Sequence, residues 1–282
     1  MNFVVLDSLS LPSDSAKPNE DAFAVADKAA VVMDGTTGLG EMLLDGDSDA
    51  AWVARFGAER LMTRLAAQSP RPALDAALRD TETEFARLRR RAPREVYEIP
   101  FASMMLVTLS QNALDALWFG DCTAIVRRPE ERAQAVGEAA EKRRRERDTV
   151  KALAAHAGVP AAARGVREVF LPALRRARNR VNSHDGGWLF GPDARAATHA
   201  QAVRTDVSPG TVVLLATDGF FALASDYACY TVDALLDAAM TNGLPALGSE
   251  LRAIESADPE GARFHRFKKS DDATAVLLRV ER

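Results

Sequence analysis

Apolar positions near the N-terminus come in short runs. Residues 3–6, 22–26 and 29–33 are brief apolar stretches separated by Ser/Pro/Asn or Asp-Lys punctuation, the pattern of strands, and they predict a first hairpin. The period then changes. Gly46-Asp47-Ser48-Asp49 supplies capping residues for a helix over about 50–67, in which Trp52, Phe56, Met62 and Leu65 are expected to share one broad apolar face. Pro70 and Pro72 open a second helix carried by Leu74, Leu78, Phe85 and Leu88, with a basic end from Arg87 to Arg91. The two helices are expected to lie side by side on a sheet.

Strand patterns return at 101–109, 113–119 and 122–127, joined by Gln111-Asn112 and Gly120-Asp121. Connections this short predict an antiparallel meander. From 129 to about 180 the pattern reads as helical, interrupted at Gly158-Val159-Pro160, and suggests helices inserted between sheet strands. Gly186-Gly187 and Gly191-Pro192 mark loops. Strands follow at 201–207 and 211–216, helices at 231–240 and 245–256, and a last strand at 273–280. No internal repeat or low-complexity linker divides the chain, so 1–282 is expected to form one domain with an insertion at about 129–182. Strands grouped with packed helices point to the α+β class.

Composition narrows the function classes. With 47% hydrophobic and 27% charged residues the chain fits an ordinary globular protein, which excludes collagen-like, mucin-like and wholly disordered readings. No apolar run approaches the roughly 20 residues that span a bilayer, and residues 1–11 carry Asp7 without a preceding basic region, so a cytoplasmic protein with no membrane partner is expected. Cys122 and Cys229 lie outside any Cys/His cluster and are expected to be small core residues rather than a disulfide or zinc ligands. Charge is uneven. Residues 127–180 hold fifteen basic against seven acidic side chains, a balance of +8, which leaves −12 for the rest of a chain of net charge −4. Such a segment is either a solvated face or a surface for an anionic partner. Arg143-Arg144-Arg145 lacks the interleaved aromatics of a nucleic-acid site, so no nucleic-acid partner is expected, and Gly38-Leu39-Gly40 lacks the third glycine of a dinucleotide fingerprint.

Four aspartates stand where predicted strands begin or end. They are Asp34 in Val-Met-Asp-Gly, Asp121 in Phe-Gly-Asp-Cys, Asp218 in Ala-Thr-Asp-Gly and Asp271 in Ser-Asp-Asp-Ala-Thr. Singly, each reads as a turn residue. Together, apolar strands that each deliver a carboxylate at the tip are what a hard cation requires, because magnesium and manganese need several oxygen ligands on rigid elements. Gly35 and Gly219, next to two of them, are expected to let backbone approach a bound ion or substrate.

The ordered series Lys-Pro-Asn-Glu-Asp-Ala-Phe (17–23), Val-Val-Met-Asp-Gly (31–35), Phe-Gly-Asp (119–121), Leu-Ala-Thr-Asp-Gly-Phe (215–220) and Ser-Asp-Asp-Ala-Thr-Ala-Val (270–276) resembles the metal-dependent protein phosphatases of type 2C, in their bacterial form. The motifs fall in the family's order and span nearly the whole chain. The resemblance implies a four-layer α–β–β–α sandwich of two antiparallel sheets flanked by helices, with a metal cleft at one end. It implies that Asp34 bridges two Mn²⁺ or Mg²⁺ ions, that Gly35 offers its carbonyl to one, and that Asp218 and Asp271 bind the other. Glu20, with Asp21 beside it, is implied to hold metal-bound water, and Asp121 to serve a third, weaker site together with Asp218. The family often has Asn where this chain has Asp272, which leaves the choice between Asp271 and Asp272 open.

Two departures bear on catalysis. Ala16 stands where many members carry an arginine for the substrate phosphate, and Lys17 is the nearest candidate replacement. Thr36 stands where many members have a histidine proposed as general acid. None of His156, His184, His199 and His265 lies in metal-ligand spacing, and His184 is the one candidate for contact near the cleft. The resemblance implies an Mn/Mg-dependent hydrolase of phosphoserine and phosphothreonine in a protein partner. A catalytically weak relative that binds a phosphorylated partner and a small-molecule phosphate-ester phosphatase are the alternatives. The basic stretch around Arg143 would then recruit acidic phosphosubstrates by long-range attraction.

Overall fold

The structure is a computed structural model that describes residues 1–137, 166–264, 266 and 268–282. Among the described residues, ten strands form two five-stranded sheets. One sheet runs β1 (Asn2–Leu11), β10 (Ala273–Glu281), β9 (Val212–Ala216), β6 (Thr123–Arg127), β7 (Gln134–Val136). The other runs β2 (Asp21–Ala26), β3 (Ala29–Gly35), β4 (Ala102–Ser110), β5 (Ala113–Phe119), β8 (Gln201–Asp206). Every neighbouring pair is antiparallel.

The central strands read as continuous apolar runs because both of their faces are covered. In β3, Ala30 and Val32 point between the sheets while Val31 and Met33 point outward, and in β10 Val276 and Leu278 alternate in the same way with Ala275 and Leu277. The inter-sheet layer joins these to Met105, Val107, Val213 and Leu215. Helices α1 (Asp49–Leu65) and α2 (Pro70–Leu88) cover the outer face of the β2–β8 sheet. Helices α4 (Asp218–Ser225), α5 (Val232–Asn242) and α6 (Leu244–Ala257) cover the other outer face, while α3 (Val166–Arg178) lies near the short 3-10 turn Val96–Glu98. Among the described residues no helix is long and apolar enough to cross a membrane.

Several expectations are corrected. The predicted meander holds only for β4 and β5, because β6 leaves for the opposite sheet, where it pairs with β9 and β7. Gly120 makes that crossing, with φ +71 and with Ser103 so near that a Cβ would collide with the serine hydroxyl. Residues 134–136, read as helical, form an edge strand on β6. The helical pattern does hold for α3, while residues 138–165, with Gly158-Val159-Pro160, His156 and the Arg143-Arg144-Arg145 run, lie outside the described residues. The short α4 was absent from the sequence reading: it buries Phe220, Phe221, Ala222 and Leu223 in succession, and an apolar run this short shows no 3.6 period.

The apolar face of α1 also differs from expectation. Its buried side is made of Ala50, Ala51, Val53, Ala54, Gly57, Ala58 and Leu61, small residues that let the helix settle close to the sheet. Trp52 and Phe56 are half-buried at the flank, stacked on each other at 5.2 Å between centroids, and Trp52 reaches Phe85 of α2 at 6.0 Å. A packing prediction follows from this arrangement. Ala54→Leu, at a fully buried position against the sheet, should cost roughly 1–3 kcal/mol by overpacking, whereas Phe56→Leu on the flank should cost less than about 1.5 kcal/mol. Urea denaturation midpoints measure both, and equal losses would contradict the assignment of the sheet-facing side.

Candidate metal centre

The strand ends bring the acids together. Asp34 sits at the end of β3, directly opposite Asp21 at the start of β2. Asp121 follows β5 at the crossing between sheets, Asp218 is the first residue of α4 after β9, and Asp271-Asp272 precede β10. Carboxylate oxygens of Asp34, Asp121 and Asp218 lie within 4.8 Å of one another. These three, with Gly35 and Asp271, line one cleft of about 830 Å³.

Neighbouring groups hold the acids in place. The Ser103 hydroxyl donates to Asp121 Oδ1 at 2.5 Å. Thr217 Oγ1 donates to Asp21 Oδ2 at 2.8 Å, while Asp21 Oδ1 is buried with no hydrogen-bond partner among the described residues. Asp272 accepts from the backbone amides of Ser13 at 2.6 Å and Glu20 at 2.7 Å, so both of its oxygens tie the β1–β2 connection to the start of β10. Asp271 instead lines the cleft, and Lys268 Nζ donates to its Oδ1 at 2.9 Å and to Thr37 Oγ1 at 3.1 Å.

The two glycines let backbone approach backbone closely. A Cβ on Gly35 would lie 2.5 Å from the Ala50 carbonyl oxygen and 2.6 Å from that of Glu20. A Cβ on Gly219 would collide with the Asp272 carbonyl oxygen. Each glycine therefore lets one acid-bearing segment close against another.

This crowding sets the electrostatics. Asp34 keeps partial contact with the cleft, yet burial, followed by the charges of Asp218, Asp21, Asp121 and Asp271, holds its carboxyl well above the usual carboxylate range. Burial does the same to Asp21, reinforced by Asp272, Asp218 and Asp271 and opposed by its bond from Thr217. Burial works against the Lys268 ammonium, but Asp271 outweighs it and the group holds its proton more tightly than a free lysine. Cys122, buried beside the cluster, has its thiol pushed up first by burial and then by Asp34 and Asp121, which leaves it inert as a nucleophile. A site with carboxylates this concentrated and an orphaned buried oxygen on Asp21 fits divalent cations, whose charge would relieve the repulsion.

The remaining candidates fall elsewhere. Glu20 is not on the cleft wall; its carboxylate accepts from Ser48 Oγ at 2.6 Å and Thr37 Oγ1 at 2.8 Å. Asp21 also lies behind the wall, and Lys17 is exposed on the β1–β2 connection, away from the cleft. His184 is fully exposed beside Asp185, whereas His199 lines the cleft and stacks on Trp188 at 3.6 Å. His265 lies outside the described residues. Cys229 is exposed on the loop between α4 and α5, not in the core. The sequence reading missed Arg178, Arg266 and Lys268 on the cleft wall. Lysines and arginines in a basic stretch look alike until the chain is folded, so no local signal marked them.

No protein-family model matches the sequence, and no curated protein matches it either. Solved structures do match in fold. The serine/threonine phosphatase PstP/Ppp of Mycobacterium tuberculosis is similar with a TM-score of 0.58 at 13% identity, covering 100% of both chains. The catalytic domain of PstP in complex with two manganese ions is similar at 0.53 and 13%, covering 99% of this chain and 98% of that one. The PPM Ser-Thr phosphatase MsPP of Mycobacterium smegmatis, in complex with cacodylate, is similar at 0.56 and 15%, covering 98% and 99%. With its paired five-stranded sheets between helical layers, the chain has the fold of the PPM-type serine/threonine phosphatases.

Proposed function

We propose that the chain is a divalent-metal-dependent phosphatase that hydrolyses phosphoserine and phosphothreonine in protein substrates. The observation that carries this reading is the convergence of Asp34, Asp121 and Asp218 within 4.8 Å at the cleft of a PPM-type sandwich. A similar structure, PstP, was obtained with two manganese ions. Asp34, Asp121 and Asp218 would hold Mn²⁺ or Mg²⁺, with Asp271 and the Gly35 carbonyl as further oxygen donors on the cleft wall. When bound, such ions supply a nucleophilic water near neutral pH and neutralise phosphoryl oxygens.

The chain's own residues define the rest. Asp272, with both oxygens engaged by backbone amides, acts as a girder, and this favours Asp271 as the oxygen donor. Glu20 holds Ser48 and Thr37 at the rim and keeps the loop after Gly35 in place. The Thr36 hydroxyl donates to the Phe101 carbonyl at 3.0 Å, so its proton is committed and is not offered to a departing oxygen. That last point favours a second reading, a weak enzyme that mainly binds a phosphorylated partner in the same cleft. Hydrolysis of phosphopeptides and p-nitrophenyl phosphate, with and without Mn²⁺, separates the two: metal binding with no turnover of either ester would favour the binding protein.

Asp34→Asn should lower Mn²⁺ affinity by more than the roughly 10–100-fold typical of losing an outer-sphere partner, and abolish metal-dependent turnover. Undiminished activity in this variant would sink the metal assignment. Stability should move the opposite way. Because Asp34 and Asp21 hold protons in the folded state that the unfolded chain releases, the metal-free protein should lose stability as pH rises above the ordinary carboxylate range. Denaturation of the metal-free protein at pH 5 and pH 8 should therefore show the lower midpoint at pH 8, a larger gain from Mn²⁺ there, and a raised metal-free midpoint in Asp34→Asn. Finally, a general acid is typically worth about 100-fold or more. With none at Thr36, turnover of p-nitrophenyl phosphate, whose leaving group needs no proton, should exceed that of a phosphoserine peptide by about that factor. Equal turnover numbers would show that another group protonates the serine oxygen.

A further inference from the structure

The cleft has two unlike parts. Asp34, Asp121, Asp218 and Asp271 gather at the strand ends, whereas the lining contributed by residues 174–201 carries Leu174, Ala177, Val181, Trp188 and Leu189 and, among the described residues, no acidic side chain. A cleft of about 830 Å³ is large enough for a drug-sized ligand, more than a phosphoseryl group fills. We infer that the ring pair Trp188 and His199 on the apolar wall is a specificity subsite, which takes an aromatic side chain close in sequence to the phosphorylated residue of the protein substrate. The inference rests on the phosphatase reading and deepens it by naming a class of substrate sequence.

Two ring planes are already stacked there. His199 lies on Trp188 at 3.6 Å between centroids and 3° between planes, with Trp188 packed against the core under α1 and α2. Of the rings that line the cleft among the described residues, Phe119 and Tyr227 are buried, Trp118, Trp188 and Phe264 are half-buried, and His199 is exposed. Tyr227 and Phe264 form a second pair, edge to face at 4.9 Å, but both pack into the core under α4 to α6. An incoming ring laid on His199 would extend the first stack and remove apolar surface from water. A basic side chain would instead meet the Arg178 guanidinium on the same wall.

The pair is tied to the metal end of the cleft. Leu189, next to Trp188, lies so near Gly120 that a Cβ there would stand 3.0 Å from Leu189 Cδ2, and Asp121 follows directly. Phe190 exchanges two backbone bonds with Ala102, at 2.8 and 3.0 Å, and the next residue, Ser103, donates to Asp121. His199 closes the 3-10 turn Ala194–His199, two residues before Gln201, which pairs with Trp118 on β5. Both rings are therefore held beside the segment that delivers Asp121. The Trp188 backbone is fixed as well: the Asn182 backbone amide donates to the Gly187 carbonyl at 3.0 Å, while its side chain accepts from the Leu189 amide at 2.8 Å and donates to the Leu189 carbonyl at 3.2 Å. A ring surface held in place before binding loses little freedom when it is covered, so more of the contact appears as affinity.

The test uses phosphoserine peptides with Ala, Phe, Lys or Glu placed in turn at each position up to about three residues from the phosphoserine, a span of roughly 10 Å of extended chain. Wild type, His199→Ala and His199→Phe are compared by kcat/KM and by calorimetric affinity for each peptide in the Mn²⁺-loaded protein, with Mn²⁺ affinity measured alongside. Wild type should favour Phe over Ala by about tenfold at one position, the ratio should fall toward one in His199→Ala, and His199→Phe, which keeps a flat ring, should retain it. The inference is overturned by the absence of a Phe preference at every position, by a stronger preference for Lys or Glu, or by a Phe preference that survives in His199→Ala. Loss of the preference in His199→Phe as well, or a matching fall in Mn²⁺ affinity, would overturn it too, since neither follows from stacking. The two readings fail separately. A His199-dependent Phe preference in affinity without hydrolysis of any peptide removes the phosphatase and keeps the subsite, whereas metal-dependent hydrolysis with no such preference does the reverse.

Discussion

Like-charge repulsion among carboxylates at one end of the two-sheet sandwich is the constraint around which the surrounding structure is arranged. Asp34, Asp121 and Asp218 arrive on separate segments and converge within 4.8 Å, with Asp21 and Asp271 close enough to add to the field. Left alone, such a group would push its own strands apart. The neighbours oppose this with bonds that reach across the two sheets. Thr217, after β9 in one sheet, donates to Asp21 in the other, and Asp272, before β10, accepts from the backbone of Glu20 and Ser13. Gly35 and Gly219 remove the side chains that would keep these segments apart.

The same constraint explains why polar residues occupy positions that packing alone would fill with apolar ones. Ser103 is almost fully buried on β4, flanked by Ala102 and Met104, and its hydroxyl is used on Asp121. Thr217 and Thr274 are fully buried where β9 and β10 end and begin, and Thr217 serves both Asp21 and the Thr274 backbone. Each of these substitutions for an apolar residue gives up transfer free energy that a methyl or methylene would have contributed, and gains a fixed oxygen near the cluster. The end of helix α3 extends the principle to the other wall, where Arg175 and Asn179 bond to distant backbone at Leu39 and Tyr97 and Arg178 bonds to Thr36.

Sequence alone determined the elements whose chemistry is local. Strand and helix periods, the Ser48 cap and the paired prolines at Pro70 and Pro72 follow from backbone preferences within a few residues, and the observed elements fall close to those positions. The acids too were legible, because an Asp at the end of an apolar strand is visible without knowing the strand's neighbours. What the sequence could not express was which surfaces meet. The meander reading failed at Gly120 because a short loop with a left-handed glycine serves a turn within a sheet or a crossing between sheets equally well, and only the pairing of β6 with β9 decides. The sheet-facing side of α1 went to alanines and Gly57 rather than to Trp52 and Phe56, since the closeness of helix and sheet is fixed by the partner surface. The division of labour between Asp271 and Asp272, and the arrival of Arg178 at Thr36 across more than a hundred residues of chain, depend on long-range contacts. Local periodicity carries no record of those contacts, because the energy that selects them arises only when distant segments exclude water from each other.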